Sequence, residues 1–182
     1  MKAKEEYSIR CEMSDMHEVF IDRMSDAYDK GFYVEAVWFC YAIFEQRISR
    51  LIAKYIDKCD KFPERTDDSS ASISIRIGCL INVINAKYGA FECLDVELFK
   101  RIKMWCRDRN ALVHGLISLD HYKKFDDEFK FLAETGVPLV FELYDACTDF
   151  RKQWYKSKEI NKSLSVKKCS CKNYKCINPK CI

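Results

Sequence analysis

Glycine and proline are scarce in this chain, five and three residues of 182, which argues against a turn-rich β sandwich and against collagen-like or low-complexity sequence. Long apolar runs are missing too. The most hydrophobic stretch, Phe32 to Phe44, is interrupted by Glu35 and followed by Glu45, Gln46 and Arg47, so it is too short and too polar to span a bilayer. The first six residues, Met1 to Glu6, mix charges of both signs and lack the apolar segment of a secretory signal, so a cytoplasmic location is expected. There is no glycine-rich phosphate loop, no His-Glu-x-x-His pair, no nucleophile elbow and no internal repeat. The sequence therefore offers no basis for P-loop, zincin or α/β-hydrolase chemistry.

What is present is helical periodicity in a chain that is 48% hydrophobic and long enough for one domain with a real core. A first long helix is expected from about Phe32 to Ile56, with Phe32, Ala36, Phe39, Ile43, Ile48, Ile52 and Tyr55 toward a core and Glu45, Gln46, Arg47 and Arg50 on its surface. The polar connection from Phe62 to Ser70 ends it, and a second helix carrying Ile73, Ile77, Leu80, Ile81 and Ile84 begins near Ala71. A third runs from about Asp95 to His114 through Leu98, Ile102, Trp105, Cys106, Leu112 and Val113, with Gly115 placed to close it. After a less regular stretch with Phe125, Phe129 and Leu132, Gly136-Val137-Pro138 reads as a break, and Pro138 as the start of a helix reaching about Lys158. With a further helix around Asp15 to Lys30, the expectation is an all-α, up-and-down bundle of five to six helices over residues 1–158, followed by a separate tail, 159–182.

The most informative short run is Arg109-Asn110-Ala111-Leu112-Val113-His114-Gly115, at the end of the third helix. Arginine is a permanent cation with a planar fork of donors suited to phosphate, and histidine is the side chain that exchanges protons near neutrality. Cleaving RNA without a metal needs the ribose 2′-hydroxyl deprotonated, charge on the phosphorane stabilised and the departing 5′-oxygen protonated. His114 suits the proton transfers, Arg109 the charge, and Asn110 lies beside them as a neutral hydrogen-bonding group. Five residues on an ideal helix turn about 140° around its axis, so one helix does not readily aim both groups at one phosphate. A site shared across a two-fold axis would.

This motif, near the end of an amphipathic helix in an all-α chain, resembles the Arg-x4-6-His signature of the HEPN superfamily, with Arg109, the polar Asn110 and His114 in the matching positions. The resemblance extends over about residues 15–158. It implies a helical bundle that dimerises so that the motifs of two protomers meet, and a metal-independent endoribonuclease leaving a 2′,3′-cyclic phosphate and a free 5′-hydroxyl. It also implies a role as a toxin or defence effector, with an antitoxin or a nucleotidyltransferase-like protein as partner. Leu116 stands where some toxin members carry tyrosine. Glu45, or Glu35, is a candidate to orient Arg109 or His114 from the neighbouring helix.

Charge is divided unevenly along the chain. Residues 151–182 hold ten Lys and Arg against the single Glu159, a net +9, so the preceding residues carry −6 of the formal total of +3. A polyanion would be drawn in by the tail. Seven of the eleven cysteines are scattered through the helical patterns and read as reduced thiols. The other four, Cys169, Cys171, Cys176 and Cys181, fall within thirteen residues and match part of the spacing of a zinc knuckle. Bound there, zinc would be structural, and Lys167, Lys168, Lys172 and Lys175 would contact phosphates. Two other readings stay open: a non-catalytic helical module that dimerises or holds a partner, and a nucleic-acid-binding protein that works through its basic tail.

Overall fold

The computed structural model describes residues 18–56, 72–87, 89–115 and 122–166, with side chains of the last segment from 125 to 157. Among these residues the secondary structure is entirely helical. Helix α1 covers residues 18–29. It ends in a Schellman arrangement: the Gly31 amide donates to the Tyr28 carbonyl at 3.0 Å and the Phe32 amide to the Ala27 carbonyl at 2.8 Å. Gly31 sits at φ +77°, a left-handed conformation that costs glycine least. Helix α2, Tyr33–Leu51, follows at once and passes into a π-helical turn, Ile52–Ile56. Helix α3 is Ile73–Asn85, a 3-10 turn covers Gly89–Cys93, α4 is Val96–Gly115, and α5 is Tyr122–Val166. Asp95 starts α4, its Oδ1 accepting the Glu97 amide at 2.9 Å, as an N-cap carboxylate does.

The core is one continuous cluster. Helix α2 lies along α5, and α4 packs against both α3 and α5. Phe44 of α2 meets Trp105 of α4 edge to face at 5.2 Å, and Tyr55 meets Phe150 and Trp154 of α5 at 4.9 and 5.0 Å. Such aromatic contacts add about 0.5–1.5 kcal/mol each beyond the area they bury. Helix α1 covers α2 through Phe20 on Phe39 and the Cys40 thiol on the Met24 sulfur at 3.4 Å.

Three expectations need correction. Phe32 is 56% exposed because it precedes the first turn of α2 and never joins the core stripe. Arg47 is half-buried, packed over the Tyr144 ring at 5.1 Å from its centroid, rather than solvated. Most clearly, Pro138 does not open a helix: α5 runs unbroken through Gly136 and Pro138, and on past Lys158 to Val166. An internal proline costs about 3 kcal/mol. Buried Phe129, Leu132 and Ala133 before it and Leu139, Val140 and Leu143 after it keep one helical stripe on the core, and burying each large side chain is worth about 1.5–3 kcal/mol. Trp105 Nε1 donates to the Leu132 carbonyl at 2.9 Å and ties α4 to this part of α5. Gly136 serves close packing here, since a Cβ would lie 2.8 Å from the Trp105 ring.

Candidate active site

Arg109 lies on the face of α4 turned toward α2, because the spacing that buries Ile102, Trp105, Cys106 and Leu112 includes position 109. It is 8% exposed and is the buried charged residue among those described. Two rings of α2 hold it: the guanidinium carbon is 4.8 Å from the centroid of Trp38 and 4.5 Å from that of Tyr41. Contacts of this kind are worth about 0.5–2 kcal/mol, more as water is excluded. Its Nη1 donates to Asn110 Oδ1 at 3.1 Å, while its Nε is buried and has no hydrogen-bond partner. Among the described residues no carboxylate lies in salt-bridge range of it. Structural arginines that are buried are ordinarily paired, so the arrangement is costly for stability alone.

Around this guanidinium the helices gather further polar groups. Glu45, two turns beyond Trp38 on α2, stands 4.0 Å from Arg76 Nη1 of α3, and that nitrogen donates to Ser49 Oγ at 2.6 Å. Its ion pair is thus with Arg76 rather than with Arg109 or His114. Its charge nevertheless reaches the same neighbourhood. Burial, followed by the Glu45 charge, raises the Tyr41 hydroxyl above its ordinary value, with Arg109 acting in the opposite direction. The Cys106 thiol is pushed up to about 12 by burial, with Arg109 lowering and Glu45 raising it. Cys106 is therefore a neutral thiol at working pH and not a nucleophile.

His114 is exposed in the last turn of α4. On one continuous helix it is turned about 140° from Arg109 and lies about 7.5 Å farther along the axis. A single protomer thus presents an inward arginine with its asparagine and an outward histidine. Glu35 is exposed near the start of α2 and faces a different hollow, shared with Asp126 and Phe129.

Trp38 and Tyr41 are the site residues that sequence reading misses. Their signal was the i, i+3, i+7 spacing of Trp38, Tyr41 and Glu45, which puts two rings and a carboxylate on one face of α2. The predicted tail groups, Lys167, Lys168, Lys172, Lys175, Cys169, Cys171, Cys176 and Cys181, lie outside the described residues. Among the described residues no group of three or more His, Cys, Asp or Glu is arranged to hold a metal ion, and no helix is long and apolar enough to cross a membrane. Comparison with protein families, with curated proteins and with solved structures finds no match to this chain.

Proposed function

We propose that the protein is a metal-independent endoribonuclease of HEPN type, acting as a homodimer. The observation that carries this reading is Arg109. A guanidinium buried without a carboxylate partner among the described residues, steadied by two aromatic rings and bonded to Asn110, lies on the helix that ends in an exposed His114. Groups that cost stability and are nevertheless held in place gather where chemistry is done.

In the reaction, the His114 of each site takes the proton from the ribose 2′-hydroxyl and returns it to the departing 5′-oxygen. The 2′-oxygen forms its bond to phosphorus as the 5′-oxygen leaves, giving a 2′,3′-cyclic phosphate and a 5′-hydroxyl. Arg109 and Asn110 hold the phosphorane oxygens, the guanidinium neutralising charge as it develops. The divergence of Arg109 and His114 on one helix is met by pairing two copies of α4, so that the arginine of one protomer and the histidine of the other share a phosphate. Glu45 fixes Arg76 and shapes the field around Tyr41 and Arg109. The lysine-rich tail recruits the RNA, with structural zinc on its four cysteines, and the setting is a cytoplasmic toxin or defence system with a neutralising partner.

The test is chemical. An end-labelled structured RNA incubated in excess EDTA should acquire ends with cyclic phosphates, and His114→Ala should abolish them. Equal cleavage by both proteins, or none by either, would move the reading to a helical module that binds a partner without catalysis.

A further inference from the structure

Helix α2 has a second polar face that the Arg109 site does not use. Positions 45 and 47 are about 200° apart on an ideal helix, so Arg47 points away from Glu45 and toward α5. There Arg47, Arg50 and Lys54 meet Arg151 of α5 around a hollow of about 110 Å³, lined also by the buried Tyr55 and Cys147. Four cations and no carboxylate line it. Among the described residues none of the four has an ion pair. Arg151 donates to Thr148 Oγ1 at 3.2 Å, Lys54 Nζ lies 5.3 Å from the centroid of the Tyr55 ring, and Arg47 rests on Tyr144.

Arg47 carries the strongest sign of an unfilled role. Its Nε is buried and makes no hydrogen bond. Burial holds its basicity below the ordinary arginine value, with Cys147 and Tyr144 raising it and the neighbouring charges of Arg151 and Arg50 lowering it. Like charges brought together at a cost to folding are what an anion relieves. The local backbone points the same way, because Lys54 and Tyr55 stand in the π-helical turn Ile52–Ile56, a rare departure from α geometry that recurs at functional sites. The hollow is well below the roughly 300 Å³ of ordinary ligand pockets, so it suits a phosphate group rather than a whole nucleoside.

We infer that Arg47, Arg50, Lys54 and Arg151 form an anion site for a phosphoryl group, on a face of α2 separate from Arg109 and His114. Free polyphosphates and the phosphodiesters of a polynucleotide share the chemistry it recognises. The site does not depend on the ribonuclease reading, since nothing in it requires cleavage.

Calorimetric titration of the full chain separates the two sources, with inorganic pyrophosphate in one arm and a short single-stranded RNA in the other. Arg50→Gln/Arg151→Gln should weaken at least one of them about tenfold or more, while Lys30→Gln/Lys152→Gln, which removes as much charge elsewhere, should not. Loss in the pyrophosphate arm assigns a small-anion site; loss in the RNA arm alone, with a smaller salt dependence, assigns a phosphodiester contact. Unchanged affinity in both arms, or equal loss in the two double variants, overturns the proposal. Thermal unfolding checks the fold, and Arg151→Lys, which keeps the charge, should retain most of the binding if the double variant is destabilised.

Discussion

An arginine is held at Arg109 by rings rather than by an acid, and the difference matters for what it can do. A carboxylate would compete with phosphate for the same donors, whereas Trp38 and Tyr41 hold the guanidinium by their rings without adding a competing anion. Trp38 is itself 57% exposed, so its removal opens no core cavity. Trp38→Ala should therefore lower kcat/KM for RNA about tenfold, equivalent to about 1.4 kcal/mol, with a fall in Tm of only a few degrees. Steady-state kinetics beside thermal melts decide it, and unchanged kcat/KM would remove the ring from the account. The buried thiols supply a second residue-scale expectation. Burial pushes Cys40 and Cys106 up to about 12 and Cys147 up to about 11, against an ordinary 9.0. Their contribution is fully present below pH 9 and is lost as pH rises toward 11–12, since the unfolded chain releases these protons first. Each thiol adds a slope approaching about 1.4 kcal/mol per pH unit. Urea midpoints measured from pH 8 to 10.5 should fall above pH 9 and fall less steeply in Cys106→Ala; a flat profile would contradict the burial of these groups.

At the scale of the elements, the sequence was most readable where one helix face alone decides the outcome. Ile73, Ile77, Leu80 and Ile84 announce α3, and Leu98, Ile102, Trp105 and Leu112 announce α4, because their spacing needs no knowledge of the partner helix. Pro138 was misleading for the opposite reason. Its local cost is offset by contacts between α4 and α5, and the fit of Trp105 against Gly136 cannot be seen in either segment separately. The candidate site divided in the same way: the Arg109 to His114 motif is local, whereas the clamp from Trp38 and Tyr41 brings together residues far apart in the chain. Gly136→Ala tests the packing argument. The added methyl would gain about 1 kcal/mol in helix propensity but would press on a tryptophan fixed by Leu132 and Phe44, so a net loss of about 1–2 kcal/mol is expected in urea unfolding. A more stable variant would mean that α4 and α5 separate easily.

At the scale of the whole molecule, the proposed reaction needs two copies of α4 acting together. One helix turns Arg109 inward and His114 outward, and the proposed shared site would restore their convergence. Arg109→Gln and His114→Ala should each be nearly inactive alone. Mixed after subunit exchange, half of the randomly formed dimers carry one copy of each, and every such dimer keeps one site with both groups intact. The decisive measurement is the rate of RNA cleavage in EDTA by that mixture. Recovery toward about a quarter of the wild-type rate is the predicted result, given one intact site in half of the dimers; a mixture as inactive as its two components would contradict a composite Arg109 and His114 site.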